Sequence, residues 1–196
     1  MKEDLFKQQL DFIKEIDKVK SIYRKSKTFT GEKYENDAEH SWHICLMAMT
    51  LAEYANEKID ILKVIKMLLI HDIVEIDAGD TFLYAENRDE VFEKEKKSAE
   101  RIFGLLPNKQ FEEFMNLWLE FENKNTPESK FAGSLDRLHP MLSNYINDGA
   151  TWKENNVSQE MVHKKNRCIE EGSQKLWEYA KTIISKSTDK GFLKQQ

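Results

Sequence analysis

The stretch Leu68–Gly79 reads LLIHDIVEIDAG, an aliphatic run into which a histidine, two aspartates and a glutamate are set. At helical spacing Leu68, Leu69, Ile70, Ile73, Val74 and Ile76 cover nearly every side of the segment, so much of it must be buried. A buried carboxylate without a partner either costs several kcal/mol or takes up a proton. Something close to His71, Asp72 and Glu75 must therefore compensate their charge. Asp77, near the end of the segment, reads as facing solvent.

Working outward, Asp60 is placed to cap a helix ILKVIKMLLIHDIVEID, and Gly79 is placed to end it. Upstream, Asn36 or Asp37 caps a helix running to about Asn56, with Ala38, Trp42, Leu46, Met49 and Leu51 as its apolar side and His40 in its first turn. Before it, residues 24–36 (RKSKTFTGEKYEN) lack any period and read as a long connecting loop. The first helix is carried by Leu5, Phe6, Leu10, Ile13, Ile16 and Val19 and ends near Ser21 or Tyr23.

Downstream, Asn87 and Glu90 have capping-box spacing for a fourth helix, and Pro107 opens a fifth whose stripe of Phe111, Phe114, Trp118 and Phe121 reads as core. Thr126-Pro127 starts a sixth helix containing Asp136, in which Pro140 should introduce a kink. Ser158 caps a last helix to about Ser185.

Composition agrees with this reading. The 196 residues are 40% hydrophobic and 33% charged with seven glycines and three prolines, which favours an all-α chain. We expect a single-domain helical bundle over residues 1–186, of about six to seven helices, with 187–196 a frayed tail. The formal net charge of −5 is interspersed, which argues against a duplex nucleic-acid partner. No apolar run reaches the length of a membrane span, and Cys45 and Cys168 lie far apart and read as reduced thiols, so a cytoplasmic protein is expected.

The polar residues of these helices form a pattern of their own. Glu75 lies three residues from Asp72 and four from His71, which brings the group to one broad helix face. A divalent cation would neutralise the buried charge there. His40 adds a nitrogen from a helix start, where the positive end of the dipole keeps imidazole neutral. His43 reads as a polar residue on that helix's flank. Asp136, amid Phe131, Leu135 and Leu138, adds an acid that needs the same cation. Three helices packed side by side would bring two nitrogens and at least two oxygens together.

The motifs EHSW (Glu39–Trp42), IHD (Ile70–Asp72) continued as HDIVEIDAGD, and LDRL around Asp136 resemble the HD-domain phosphohydrolase superfamily, and within it the 5'-deoxynucleotidase-like branch. The similarity runs from about Val19 to Tyr145. The resemblance implies that His40, His71, Asp72 and Asp136 bind one divalent cation, Mn²⁺, Co²⁺ or Mg²⁺. It further implies that Glu75 and Asp80 line the pocket as catalytic groups, that Arg24 contacts the substrate phosphate, and that the subunit pairs as a homodimer. Two departures fall on the substrate side: Lys25 stands where characterised bacterial enzymes have tryptophan, and TFLYAEN follows Asp80 where they continue with prolines.

The expected function is metal-assisted hydrolysis of a nucleoside monophosphate. Hydrolysis of another nucleotide (triphosphate, cyclic or signalling), a metal-stabilised module without turnover, and a purely structural bundle stay open from the sequence.

Overall fold

The computed structural model describes residues 2–81, 83–84 and 88–195. Helices α1 (Lys2–Ile16), α2 (Asp37–Leu51), α3 (Ile61–Ile70), α4 (Glu75–Ala78), α5 (Arg88–Phe103), α6 (Asn108–Asn123) and α7 (Pro127–Ile146) are followed by α8 (Ala150–Glu154), α9 (Gln159–Asn166), α10 (Ile169–Gly172) and α11 (Gln174–Asp189). Short 3₁₀ segments extend α1 over Asp17–Ser21 and α2 over Ala52–Tyr54.

The caps explain most helix starts. Asn36 accepts from the Glu39 amide while the Glu39 carboxylate accepts from the Asn36 amide, a reciprocal box that starts α2. Asp60 accepts from the amides of Leu62 and Lys63 to start α3, and Thr126 pairs with Ser129 at the head of α7 with Pro127 in its first turn. Pro107 sits at the cap position of α6 rather than inside its first turn. Pro140 lies inside α7, which runs through it to Ile146. The expected Asn87 cap lies outside the described residues.

Several expectations need correction. Residues 24–36 hold an antiparallel hairpin, β1 (Tyr23–Lys27) with β2 (Tyr34–Asn36), pairing Tyr23 with Asn36 and Lys27 with Tyr34. Ser143 Oγ donates to Lys27 O at 2.5 Å and Asn147 Nδ2 to Thr28 O at 3.0 Å, so α7 supplies the bonds that a two-stranded ribbon cannot supply for itself.

The inward face of α2 is also different from the expected one. His40, Ile44, Met47 and Ala48 are buried, whereas Trp42, Leu46 and Met49 are exposed. A helix apolar on both sides has no single period to read, and packing on α3 and α7 chose the face. On α1, likewise, Phe12 enters the core while Leu5, Phe6, Leu10 and Ile13 remain exposed.

The expected last helix is three pieces. The α10 helix closes on α7 at Gly172, where an added Cβ would stand 2.3 Å from both Lys130 O and Ser134 Oγ. Ser173 then recaps the chain as α11, accepting from the Leu176 amide and donating to Tyr54 O at 2.6 Å.

The segment expected to fray is instead docked. Helix α11 reaches Asp189, Phe192 and Leu193 are buried, and Lys194 bridges Ser158. Apolar burial outweighs the disorder expected of a terminus.

Two clusters form the core. One joins α2, α3, α7 and α11 through Ile44, Met67, Leu68, Leu135, Leu138 and Trp177. The other joins α1, α5 and α6 through Phe12, Ile102, Phe103 and Trp118. The α6 stripe is core as expected, with Trp118 in one cluster and Phe121 in the other. The segment between α3 and α4 lies where the clusters meet.

Candidate metal centre

The opening stretch is not one α-helix. After Ile70 the chain tightens into a 3₁₀ segment, His71–Val74, before α4 resumes at Glu75. At three residues per turn, side chains three apart stand nearly in line, which places Asp72 and Glu75 on the same side. Gly79 has φ +75°, a conformation costly for other residues, and ends α4 with Asp80 directed back toward the pocket.

The ring of His71 is oriented from behind. Its Nδ1 lies 2.9 Å from Leu68 O and must carry the hydrogen, because a carbonyl can only accept. In the neutral ring Nε2 is then an open lone pair, and this buried atom has no hydrogen-bond partner. It faces Asp72 Oδ1 at 3.1 Å and Asp136 Oδ1 at 3.7 Å. From α2, His40 Nε2 approaches Asp136 Oδ1 at 3.2 Å. Bare imidazole nitrogens facing carboxylate oxygens repel one another unless a proton or a cation lies between them.

A proton on His71 meets part of this need. Burial would lower the His71 pKa, but Asp72 and Asp136 lift it to about 10. Burial likewise opposes ionisation of Asp72, yet His71 and Arg24 bring it down to about 2. A divalent cation satisfies the same four groups more fully, since histidine nitrogens and carboxylate oxygens are its ordinary donors. The donor atoms of His40, His71 and Asp72 lie within 4.8 Å of one another, and Asp136 bridges the two rings. The residues present therefore fit a divalent metal.

The other expected residues surround this point. Arg24 belongs to β1 rather than to a loop, and its Nη1 donates to Asp72 Oδ2 at 2.5 Å, with Asp37 Oδ1 at 3.5 Å and its Nη2 3.9 Å from Asp136 Oδ1. Burial opposes its charge, but Asp72, Asp136, Glu75 and Asp80 hold the guanidinium protonated. Glu75 is buried, and burial together with Asp72 and Asp37 pushes its carboxyl well above the usual range. Asp80 is shifted upward mainly by burial, against the pull of Arg24. The structure thus brings His40, His71, Asp72, Asp136, Glu75, Asp80 and Arg24 into one pocket. Lys25 is exposed, near enough to Asp80 to favour its ionised form.

Several residues of the pocket were not read from the sequence as part of it. Asp37, weighed only as a helix cap, is fully buried beside Glu75 and Asp80, and burial and Asp72 raise its pKa to about 7. Its signal was present, since ENDAEH places three acids within five residues of His40. Glu35 and His139 sit behind His40, and Phe121 packs on the His71 ring with centroids 4.9 Å apart. Glu35 opens ENDAEH and His139 follows Asp136 by three residues, but an acid before a helix and a histidine within one are ordinary residues there. Asp77 is exposed as expected, but it accepts from Arg101, which also donates to Glu15 and so ties α4, α5 and α1 together.

A helical bundle that closes histidines and aspartates from α2, α7 and the turn after α3 around one point defines a metal-binding helical domain. The chain belongs to the HD-domain family, whose model matches residues 16–177. It is 31% identical over 139 residues to 5'-deoxynucleotidase HDDC2 of Xenopus laevis, a match covering 69% of this chain and 67% of that protein. It is 29% identical over 136 residues to 5'-deoxynucleotidase HDDC2 of Danio rerio, covering 68% of this chain and 66% of the relative, so the match spans about two thirds of these proteins. The crystal structure of a predicted metal-dependent phosphohydrolase from Magnetospirillum magnetotacticum superposes with a TM-score of 0.92 at 46% identity, over 97% of this chain and 99% of that one.

Proposed function

We propose that this protein is a divalent-cation-dependent phosphohydrolase that removes the 5'-phosphate of (deoxy)ribonucleoside monophosphates. The observation that carries the reading is the convergence of His40 Nε2, the unpartnered His71 Nε2, Asp72 and Asp136 on one point beside the buried guanidinium of Arg24. The names of the Xenopus and zebrafish relatives support the substrate class, and the Magnetospirillum structure supports the reaction class.

His40, His71, Asp72 and Asp136 would hold the cation, Mn²⁺, Co²⁺ or Mg²⁺. Bound there, it supplies charge stabilisation at the phosphoryl oxygens and activation of a water for attack on phosphorus. Arg24, whose guanidinium lies beside these ligands, would offer its fork of N–H donors to the phosphate. Glu75 Oε2 is buried with no hydrogen-bond partner and its carboxyl is poised to hold a proton, so it orients the attacking water or hands a proton to the leaving nucleoside oxygen. Asp80, at the turn after α4, is placed to accept from substrate hydroxyls.

The test is phosphate release from a panel of ribo- and deoxyribonucleoside monophosphates, with triphosphates and cyclic nucleotides alongside, each with Mn²⁺, Co²⁺, Mg²⁺ or chelator. Cation-dependent release from the monophosphates is expected. Silence on every substrate with every cation would replace the enzyme with a metal-stabilised module.

A homodimer and a cytoplasmic location belong to the same reading. The exposed Trp42, Leu46 and Met49 on α2 offer an apolar face for pairing, and the free thiols of Cys45 and Cys168 suit a reducing compartment. Among the described residues no helix is long and apolar enough to cross a membrane.

A further inference from the structure

Behind the proposed metal ligand His40 lies a row of rings that the reaction itself does not use. His40 Nδ1 is 3.2 Å from His139 Nδ1, and His139 Nε2 is 3.1 Å from His43 Nδ1. The first two rings are fully buried and the third is half-buried. Phe29 stacks on His139 at 5.1 Å and lies tilted over His43 at 4.8 Å, which holds both ring planes. The Glu35 carboxylate spans the row, with Oε2 3.4 Å from His40 Nδ1 and Oε1 3.5 Å from His139 Nε2.

Each neutral imidazole carries one N–H and one acceptor, so the row can run in only two directions. In one, His40 keeps its hydrogen on Nε2 and donates to Asp136, which blocks that nitrogen as a ligand. In the other, His40 Nε2 is bare, its Nδ1–H donates to His139 Nδ1, His139 Nε2–H donates to His43 Nδ1, and His43 turns its remaining N–H outward. A cation at His40 Nε2 permits only the second.

We propose that His139, with His43 and Glu35 behind it, is a positioning group that locks His40 in the Nδ1–H tautomer needed to bind the cation. This rests on His40 being a ligand, as argued above. A consequence follows for the donor atoms of Glu35, His43 and His139, which lie within 4.8 Å of one another and have the composition of a metal site. A cation there needs His139 Nε2 bare, which moves the hydrogen to Nδ1 and sets two N–H groups against each other 3.2 Å apart. While His40 is a ligand, the cluster is a hydrogen-bond chain and not a second metal centre.

The tautomers are read directly by long-range ¹⁵N–¹H NMR of the wild-type chain, using Zn²⁺ as a diamagnetic probe. The expected spectrum has hydrogen on Nδ1 of His40 and on Nε2 of His139 and His43, with one cation per chain by calorimetry. Hydrogen on His139 Nδ1 in the loaded protein, or two cations per chain, overturns the proposal.

A second arm measures Zn²⁺ affinity of two variants. Glutamine can accept from His40 and donate to His43, so H139Q should bind within about threefold of wild type, whereas H139L should lose roughly 10- to 100-fold with its circular dichroism unchanged. Equal affinity of H139L and wild type overturns the proposal. His71→Ala serves as the control. If it too binds like wild type, the metal centre itself is wrong; if it alone loses binding, only the chain of rings is.

Discussion

At the scale of single residues, the pocket holds two kinds of group that a pair of substitutions separates. His71 presents a bare Nε2 to the cation, while Glu75 has a free carboxyl oxygen and is not needed as a ligand. His71→Ala should therefore abolish both cation binding and phosphate release, measured by calorimetry and by a phosphate assay. Glu75→Gln should keep cation affinity within a few-fold while turnover falls by roughly 10²- to 10⁴-fold, the range for removing a general acid or base. Wild-type phosphate release by His71→Ala would end the mechanism. The sequence pointed to His71, Asp72, Glu75 and Asp136 as charge among apolar residues that demands compensation, and to His40 as an imidazole at a helix start. Asp37 left a signal in ENDAEH that a helix cap explains equally well, and His139 looks like any core histidine, so neither could be told from an acid or a ring turned into a site.

At the scale of elements, close approach decides more than propensity. The Cβ of Gly172→Ala would meet the backbone oxygen of Lys130, so α10 and α7 must separate, with an expected loss of about 1 to 3 kcal/mol by urea denaturation. Gly79→Ala meets open space, and its cost should be only the strain of φ +75° with ψ 149°, a region that glycine alone ordinarily visits, about 1 to 3 kcal/mol. Leu193→Ala tests the docked terminus: its burial predicts about 2 to 5 kcal/mol, whereas a frayed tail would give no change. Helix starts were legible from Asn36, Asp60, Thr126 and Ser158, whose side chains bond the next turn. The breaks at His71 and Gly172 were not, because a 3₁₀ turn and a helix–helix contact answer to partners distant in the chain.

At the scale of the whole molecule, a cation held jointly by α2, α7 and the turn after α3 should stiffen the bundle. At a hundredfold excess over its Kd it would add about 2.7 kcal/mol, and chelation should lower Tm by roughly 5 to 10 °C for a chain of this size. A calorimetric scan with and without chelator checks this, and an unchanged Tm would argue against a shared ligand set. Sedimentation equilibrium tests the proposed pairing, with a dimer expected for wild type and a monomer for Trp42→Glu.

What the sequence determined by itself was the helical class, most helix starts and the identity of the groups that must share a charge. Those properties are local or compositional: caps bond within a turn, and buried charge requires an opposite charge wherever the fold places it. Only the tertiary structure decided which face of α2 turned inward, that a hairpin braced by Ser143 and Asn147 delivers Arg24, and that His139 stands behind His40. These depend on contacts between separate elements, 48 residues apart for Arg24–Asp72 and 116 for Lys27–Ser143, where packing and hydrogen-bond geometry choose among arrangements that the local sequence leaves nearly equal.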